Sequence, residues 1–162
     1  MNAAAFLLLG SILTIPAYGQ ESLVDWTMRH EGFAESRYND SRGYATIGYG
    51  HRVTHNGPGS FRVTEAEAKR TLIADLQLAQ DHVTDLCHTI ESKPTPVKFV
   101  LTALAFQLGK TGLWKFKKMW HAIDANNWGV AATELRDSTL FQQCPRRTGE
   151  LATILESATD AR

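Results

Sequence analysis

Two carboxylates nine positions apart, Glu31 and Asp40, are the residues of this sequence best suited by type to acid–base work. Cleavage of a glycosidic bond needs such a pair: one carboxylic acid protonates the leaving oxygen while a second carboxylate assists a water or attacks the sugar. Glu31 falls where a short helix should end, and there the negative pole of the helix dipole and partial burial by Trp26 and Phe33 favour the protonated acid. Asp40 falls in an Asn39-Asp40 turn, a wetter setting that keeps a carboxylate ionised, so the two environments separate an acid from a base. By spacing alone, the pair reads more simply as a surface charge and a turn former. The histidines His30, His51, His55, His82, His88 and His121 invite a zinc amidase, but no HExxH or other compact ligand motif occurs, so neither metal nor cofactor is expected. Cys87 and Cys144 match no metal or redox spacing, and geometry decides between a disulfide and two thiols.

The elements that must position these groups can be read along the chain. Leu23, Trp26, Thr27 and His30 recur at helical spacing, which predicts a first helix over about 22–30 stopped by Gly32. From Tyr38 to Val63 the texture becomes short β-branched and aromatic runs broken by Asn-Asp, Arg-Gly and Asn56-Gly57-Pro58-Gly59, which predicts a small antiparallel sheet. Thr64 and Glu67 fit a capping box, and Leu72, Leu76, Ala79, Val83 and Leu86 form the apolar row of a long linking helix over about 65–90. Thr95-Pro96 then starts a core helix carrying Val97, Val100, Leu101, Leu104 and Leu108, broken at Gly109-Lys110-Thr111-Gly112. Further helices are expected around Phe116–Ile123, Trp128–Leu135 and Arg146–Glu156. The sum is α+β: a sheet lobe over about 32–63, the linking helix, and a helical lobe over about 95–160, with a cleft between the lobes.

Composition narrows the field. The 162 residues, 43% hydrophobic and 21% charged, suit one globular domain without repeats or low-complexity tracts. Zero net charge argues against a nucleic-acid binder. The first 92 residues carry 7 Lys/Arg against 11 Asp/Glu and the remainder 10 against 6, so the positive half suits an anionic polymer. No charged side chain precedes Glu21, and Ala3 to Ile15 is almost wholly apolar. Residues 1–19 therefore read as a targeting segment, too short to span a bilayer, with small residues Ala17 and Gly19 placed for cleavage that would leave 20–162 as the mature domain. A releasable anchor that touches the membrane transiently, or a buried helix, are the other readings of the same segment. Either targeting reading places the protein outside the cytoplasm, in the periplasm or secreted.

The string around the carboxylates adds a resemblance. Glu31-Gly32, Tyr38-Asn39-Asp40, Gly43 and Thr46-Ile47-Gly48-Tyr49-Gly50-His51 strongly resemble phage lysozymes of the T-even type, the endolysins of glycoside hydrolase family 24, whose signature is a Glu, an Asp nine residues on and a Thr six further. Phe106-Gln107-Leu108-Gly109-Lys110-Thr111-Gly112, Trp128, Ala131-Ala132, Pro145 and Arg147 extend the likeness over about Leu23 to Glu156. The resemblance implies a lysozyme-like fold and a monomeric, cofactor-free hydrolase of peptidoglycan, cutting the β-1,4 link between N-acetylmuramic acid and N-acetylglucosamine with inversion. It implies Glu31 as general acid, Asp40 and Thr46 as the groups that activate and hold the water, and Phe106 and Gln107 as substrate contacts. It further implies Arg147 beside the acid, an ion pair that opposes the acid role, and a structural His51–Asp75 pair between sheet lobe and long helix.

The chain also departs from that pattern. The loop after His51 is shorter than in the longest members, Leu140 stands where many carry Trp, and overall neutrality contrasts with their basicity. A lytic transglycosylase, which needs only the acid, and an inactive wall-binding protein of the same fold are the remaining alternatives.

Overall fold

The chain, a computed structural model, is described over residues 14–15, 21–40, 43–53 and 62–158. Strands β1 (Thr14–Ile15) and β2 (Glu21–Ser22) pair antiparallel, with Thr14 opposite Ser22. Most of the expected targeting segment and the Asn56–Gly59 turn lie outside the described residues.

Helix α1 (Leu23–Glu31) starts at Ser22, whose hydroxyl oxygen accepts the Asp25 N–H at 3.1 Å and satisfies one free amide of the first turn. Leu23, Val24, Trp26 and Thr27 are its buried face. The Gly32 N–H closes on the Met28 carbonyl at 3.0 Å, which leaves Glu31 as the last helical residue.

Three antiparallel strands follow in the order β3 (Ala34–Asn39), β4 (Ala45–Gly48), β5 (His51–Arg52). The sheet begins at Ala34, four residues earlier than the expected Tyr38, so Asp40 directly follows its first strand. Strand β3 is missed by pattern because Glu35, Ser36 and Arg37 give it no apolar alternation. Pairing holds it: Tyr38 lies opposite Thr46 on β4, and on the other edge the Val63 N–H donates to the Glu35 carbonyl at 2.9 Å.

The capping box forms as read, Thr64 with Glu67, and opens α2 (Glu65–Leu86), with Ala68, Leu72, Leu76, Ala79 and Val83 buried. The helix stops at Leu86, short of the expected end, and a single 3-10 turn covers Ile90–Ser92. Helix α3 (Thr95–Trp114) is the central helix, and its Val97, Phe99, Val100, Leu101, Ala103 and Leu104 are fully buried. Pro94, not Thr95, occupies its cap position, and Pro96 lies in the first turn, where its missing N–H costs no hydrogen bond. The expected break falls at Gly109, with φ 68° and ψ 173°.

Helices α4 (Lys117–Asp124), α5 (Trp128–Arg136), α6 (Thr139–Gln143) and α7 (Pro145–Glu156) complete the α+β architecture. Helix α6 is too short to show a period in sequence; Ser138 caps it and Leu140 anchors it in the core. A buried lysine, Lys93, terminates α4 from outside: its Nζ donates to the Ile123 carbonyl at 3.1 Å and to Asn126 Oδ1 at 2.7 Å. Both cysteines are free thiols, Cys87 buried beside Thr89 and Cys144 at the junction of α6 and α7. No helix among the described residues is long and apolar enough to cross a membrane.

Candidate active site

A cleft of about 560 Å³ opens between the three-stranded sheet and the helical lobe. Asp40 and Thr46 line it from the sheet, Glu31 from the end of α1, Phe106 and Gln107 from α3, and Arg147 from the first turn of α7.

Glu31 is held from two directions. Arg147 Nη1 donates to its Oε1 at 2.5 Å, and the Arg147 guanidinium sits 5.2 Å from the Trp26 ring, which orients it from behind. On the other carboxylate oxygen, a Cβ at Gly50 would lie 3.1 Å from Oε2, so only a glycine, here at φ 81°, leaves that oxygen unobstructed. Phe33 is 41% exposed and leans on the Tyr49 ring at 5.5 Å. Gly50 and Arg147 both pack against Glu31. Tyr49 in turn is buried and donates its hydroxyl to Glu65 at 2.8 Å; burial first, then that bond, pushes the phenol up to about 12, so it stays a neutral donor tying the sheet to α2.

Asp40 sits in the β3–β4 turn. Its Oδ1 accepts the Tyr44 N–H at 2.8 Å, while its backbone exchanges bonds with Tyr44 and Gly43 at 2.9 Å, which fixes the side chain relative to the strand ends. Thr46 is buried at 2% exposure, and its hydroxyl donates to the Tyr44 carbonyl at 3.0 Å. With that hydrogen committed, the oxygen offers lone pairs only. Directly opposed residues of an antiparallel pair project to the same face, and Tyr38–Thr46 and Thr46–Arg52 are both such pairs. Tyr38, Thr46 and Arg52 thus form one row across the sheet, and all three line the cleft.

His51 Nδ1 lies 2.8 Å from Asp75 Oδ2, joining β5 to α2. His30, beside Glu31, points away from the cleft and meets Glu150 at 2.9 Å. Glu150 also accepts from Trp26 Nε1 at 3.1 Å and Arg29 Nη2 at 3.0 Å, so one carboxylate pins α1 to α7 behind the Glu31–Arg147 contact. Burial pushes the Glu150 carboxyl up, but the hydrogen bonds from Arg29 and His30 outweigh it and hold it down at about 2. Among the described residues no cluster of three or more His, Cys, Asp or Glu is placed to hold a metal ion.

Sequence reasoning passed over Gly50, Tyr38, Arg52 and His82 as parts of the cleft. A glycine beside an expected strand end is a detectable signal of close approach. Nothing local marks Arg52, because its place depends on the β4–β5 register.

An open cleft between a small sheet and a helical lobe, lined by two carboxylates and a buried hydroxyl, defines a class of polymer-cleaving hydrolase. The phage lysozyme family model matches residues 28–144, and the chain belongs to that family. It is a glycoside hydrolase of the lysozyme class with the lysozyme-like α+β fold. Among curated proteins it is similar to two from Dictyostelium discoideum, named probable T4-type lysozyme 2 (27% identical) and probable T4-type lysozyme 1 (25% identical), each over 85% of this chain and 95% of the relative. It is also similar to the pre-baseplate central spike protein Gp5 of Enterobacteria phage T4, 29% identical over 83% of this chain but 27% of that much longer protein.

Proposed function

We propose that this protein is an N-acetylmuramidase that hydrolyses the β-1,4 bond between N-acetylmuramic acid and N-acetylglucosamine in peptidoglycan, with inversion. The observation that carries this reading is that Glu31, at the end of α1, and the Asp40–Thr46 pair, on the sheet, line one open cleft from separate elements. Arg147 occupies Glu31 Oε1, so Oε2, left clear by Gly50, is the oxygen that delivers the proton to the glycosidic oxygen. A water between Asp40 and Thr46 gives one hydrogen to the Asp40 carboxylate and the other to the Thr46 lone pairs, which turns its own lone pair toward the anomeric carbon. As the C–O bond breaks, the leaving oxygen takes the Glu31 proton, the water oxygen bonds carbon and Asp40 takes the water proton. No cofactor enters the reaction. Phe106 and Gln107 contact the glycan from the helical side.

The reading includes export as a monomer through the N-terminal apolar segment, which brings the enzyme to the wall from the cytoplasm. The N-terminal residue of protein recovered outside the cytoplasm tests it: a start at Gln20 supports cleavage, and a start at Met1 supports the releasable anchor.

The decisive experiment is Glu31→Gln. The amide has no acidic proton, so the folded variant should lose clearing of purified peptidoglycan by at least a hundredfold. Product mass then separates the reactions: hydrolysis adds one water per cut, whereas an anhydro-sugar would make the protein a lytic transglycosylase.

A further inference from the structure

Among the described residues two arginines line the cleft, and they are not in the same condition. Arg147 is committed to Glu31 at 2.5 Å. Arg52 is 51% exposed, and its ion-pair partner among the described residues, Asp40 Oδ2, is 3.9 Å away, beyond hydrogen-bond reach. Its guanidinium lies 4.3 Å from the centroid of the Tyr44 ring, a contact that holds the planar fork without using its N–H donors. Among the described residues the Arg52 guanidinium makes no hydrogen bond. It stands directly across the strand pair from Thr46, in the row that forms the sheet wall.

A fixed, half-exposed fork of unused donors next to the proposed water is a receptor for a planar anion. We infer that Arg52, stacked on Tyr44, binds a carboxylate carried by the muramyl sugar of the substrate and so makes this enzyme prefer acidic wall glycan. The inference rests on the muramidase reading and deepens it. The muramyl sugar is where such a charge arises, because its lactyl arm ends in a carboxyl group that is either free or extended into a peptide bearing further carboxylates. Asp40 does not use up the fork: its Oδ1 accepts the Tyr44 N–H, and its Oδ2, at 3.9 Å, pairs with the guanidinium by charge without taking a hydrogen bond from it.

The test is a cycle of protein and substrate changes, read as kcat/KM. Wild type, Arg52→Leu and Arg52→Lys act on peptide-bearing wall and on amidase-stripped glycan strands, each untreated or with its carboxyls converted to neutral methylamides. Amidation should cost the wild type about fivefold, as expected for one charge-assisted hydrogen bond at a half-exposed site. Arg52→Leu should show no further loss on amidation, and Arg52→Lys, which keeps the charge but not the planar fork stacked on Tyr44, should keep only part of the wild-type sensitivity. Any effect of the variants through Asp40 is common to both substrate forms and cancels in the ratio. Sensitivity on stripped strands identifies the lactyl carboxylate; sensitivity confined to peptide-bearing wall identifies the stem. Equal sensitivity of wild type and Arg52→Leu on both substrates overturns the inference while leaving the muramidase reading intact. A wild type that releases no muramyl products from wall overturns that reading itself.

Discussion

Replacing Glu150 by Gln removes a charge that the fold has concentrated donors around, and the consequence should depend on pH in a calculable way. The amide oxygen can still accept the Trp26 N–H, so the substitution isolates the negative charge from the packing. In the folded protein the carboxyl is held at about 2, against an ordinary 4.5. At full strength that difference is worth roughly 3 kcal/mol. The partners are partly hydrated, with Glu150 22% and Arg29 38% exposed, and solvent screening brings the net value to about 1–2 kcal/mol. Because the folded form holds its proton less tightly than the unfolded chain, the contribution is complete above about pH 4.5 and disappears as pH falls through about 2. Glu150→Gln should therefore lower the melting temperature by about 2–8 °C at pH 7. The gap should narrow steadily below pH 4.5. Urea midpoints of the two proteins at pH 7, 5 and 3 measure it, and the lowered carboxyls of Glu67, Asp85 and Glu156 are common to both and cancel. Arg29 and Arg146 are the cations that face Glu150, and the His30 ring nitrogen is its further partner. A gap that stays constant with pH, or is absent at pH 7, would refute the argument.

Two other substitutions probe separate parts of the structure. Gly50→Ala places a methyl group 3.1 Å from Glu31 Oε2 at a positive φ, so it should cost about 1–2 kcal/mol in urea unfolding and lower kcat at least tenfold. Wild-type kcat in that variant would show that Oε2 needs no clearance there. Lys93→Met removes the donor to Asn126 Oδ1, while the Ile123 carbonyl keeps the Asn126 N–H, and should cost about 1–2 kcal/mol. Its kcat at 25 °C should be unchanged, since Lys93 lies outside the cleft lining; a stability within about 0.3 kcal/mol of wild type would mean water replaces the amine.

What the sequence reveals here depends on how local the cause is. The capping box at Thr64 and Glu67 and the apolar row of α2 are settled within one or two helical turns, so they are visible in the residues themselves. The break at Gly109 is equally local. Strand β3 is not: its side chains are polar, and its conformation is imposed by neighbours on both edges. The same division runs through the cleft. Glu31, Asp40 and Thr46 stand in a recognisable string, whereas Arg147, more than a hundred positions away, reaches Glu31 only through the packing of α7 behind α1. Resemblance points to that arginine; residue type and spacing do not. Arg52 is hidden for another reason, since a shift of one residue in the β4–β5 register would turn it off the cleft face.

This dependence on register explains why two glycines matter more to the site than their lack of chemistry suggests. The proposed acid belongs to a helix, and the groups proposed to hold the water belong to a sheet, so their separation is only as constant as the seating of one on the other. Gly48, at φ 66°, admits α2 so closely that a Cβ there would lie 2.9 Å from the Ala68 Cβ. Gly50, two residues on, admits Glu31 to the same segment. Between them, Tyr49 is tied to Glu65. A three-residue stretch thus fixes the sheet against α2 on one side and against the end of α1 on the other. Larger residues at Gly48 and Gly50 would push apart the two walls that carry Glu31 and Thr46, and a water held on one wall would lose its line to a sugar protonated from the other.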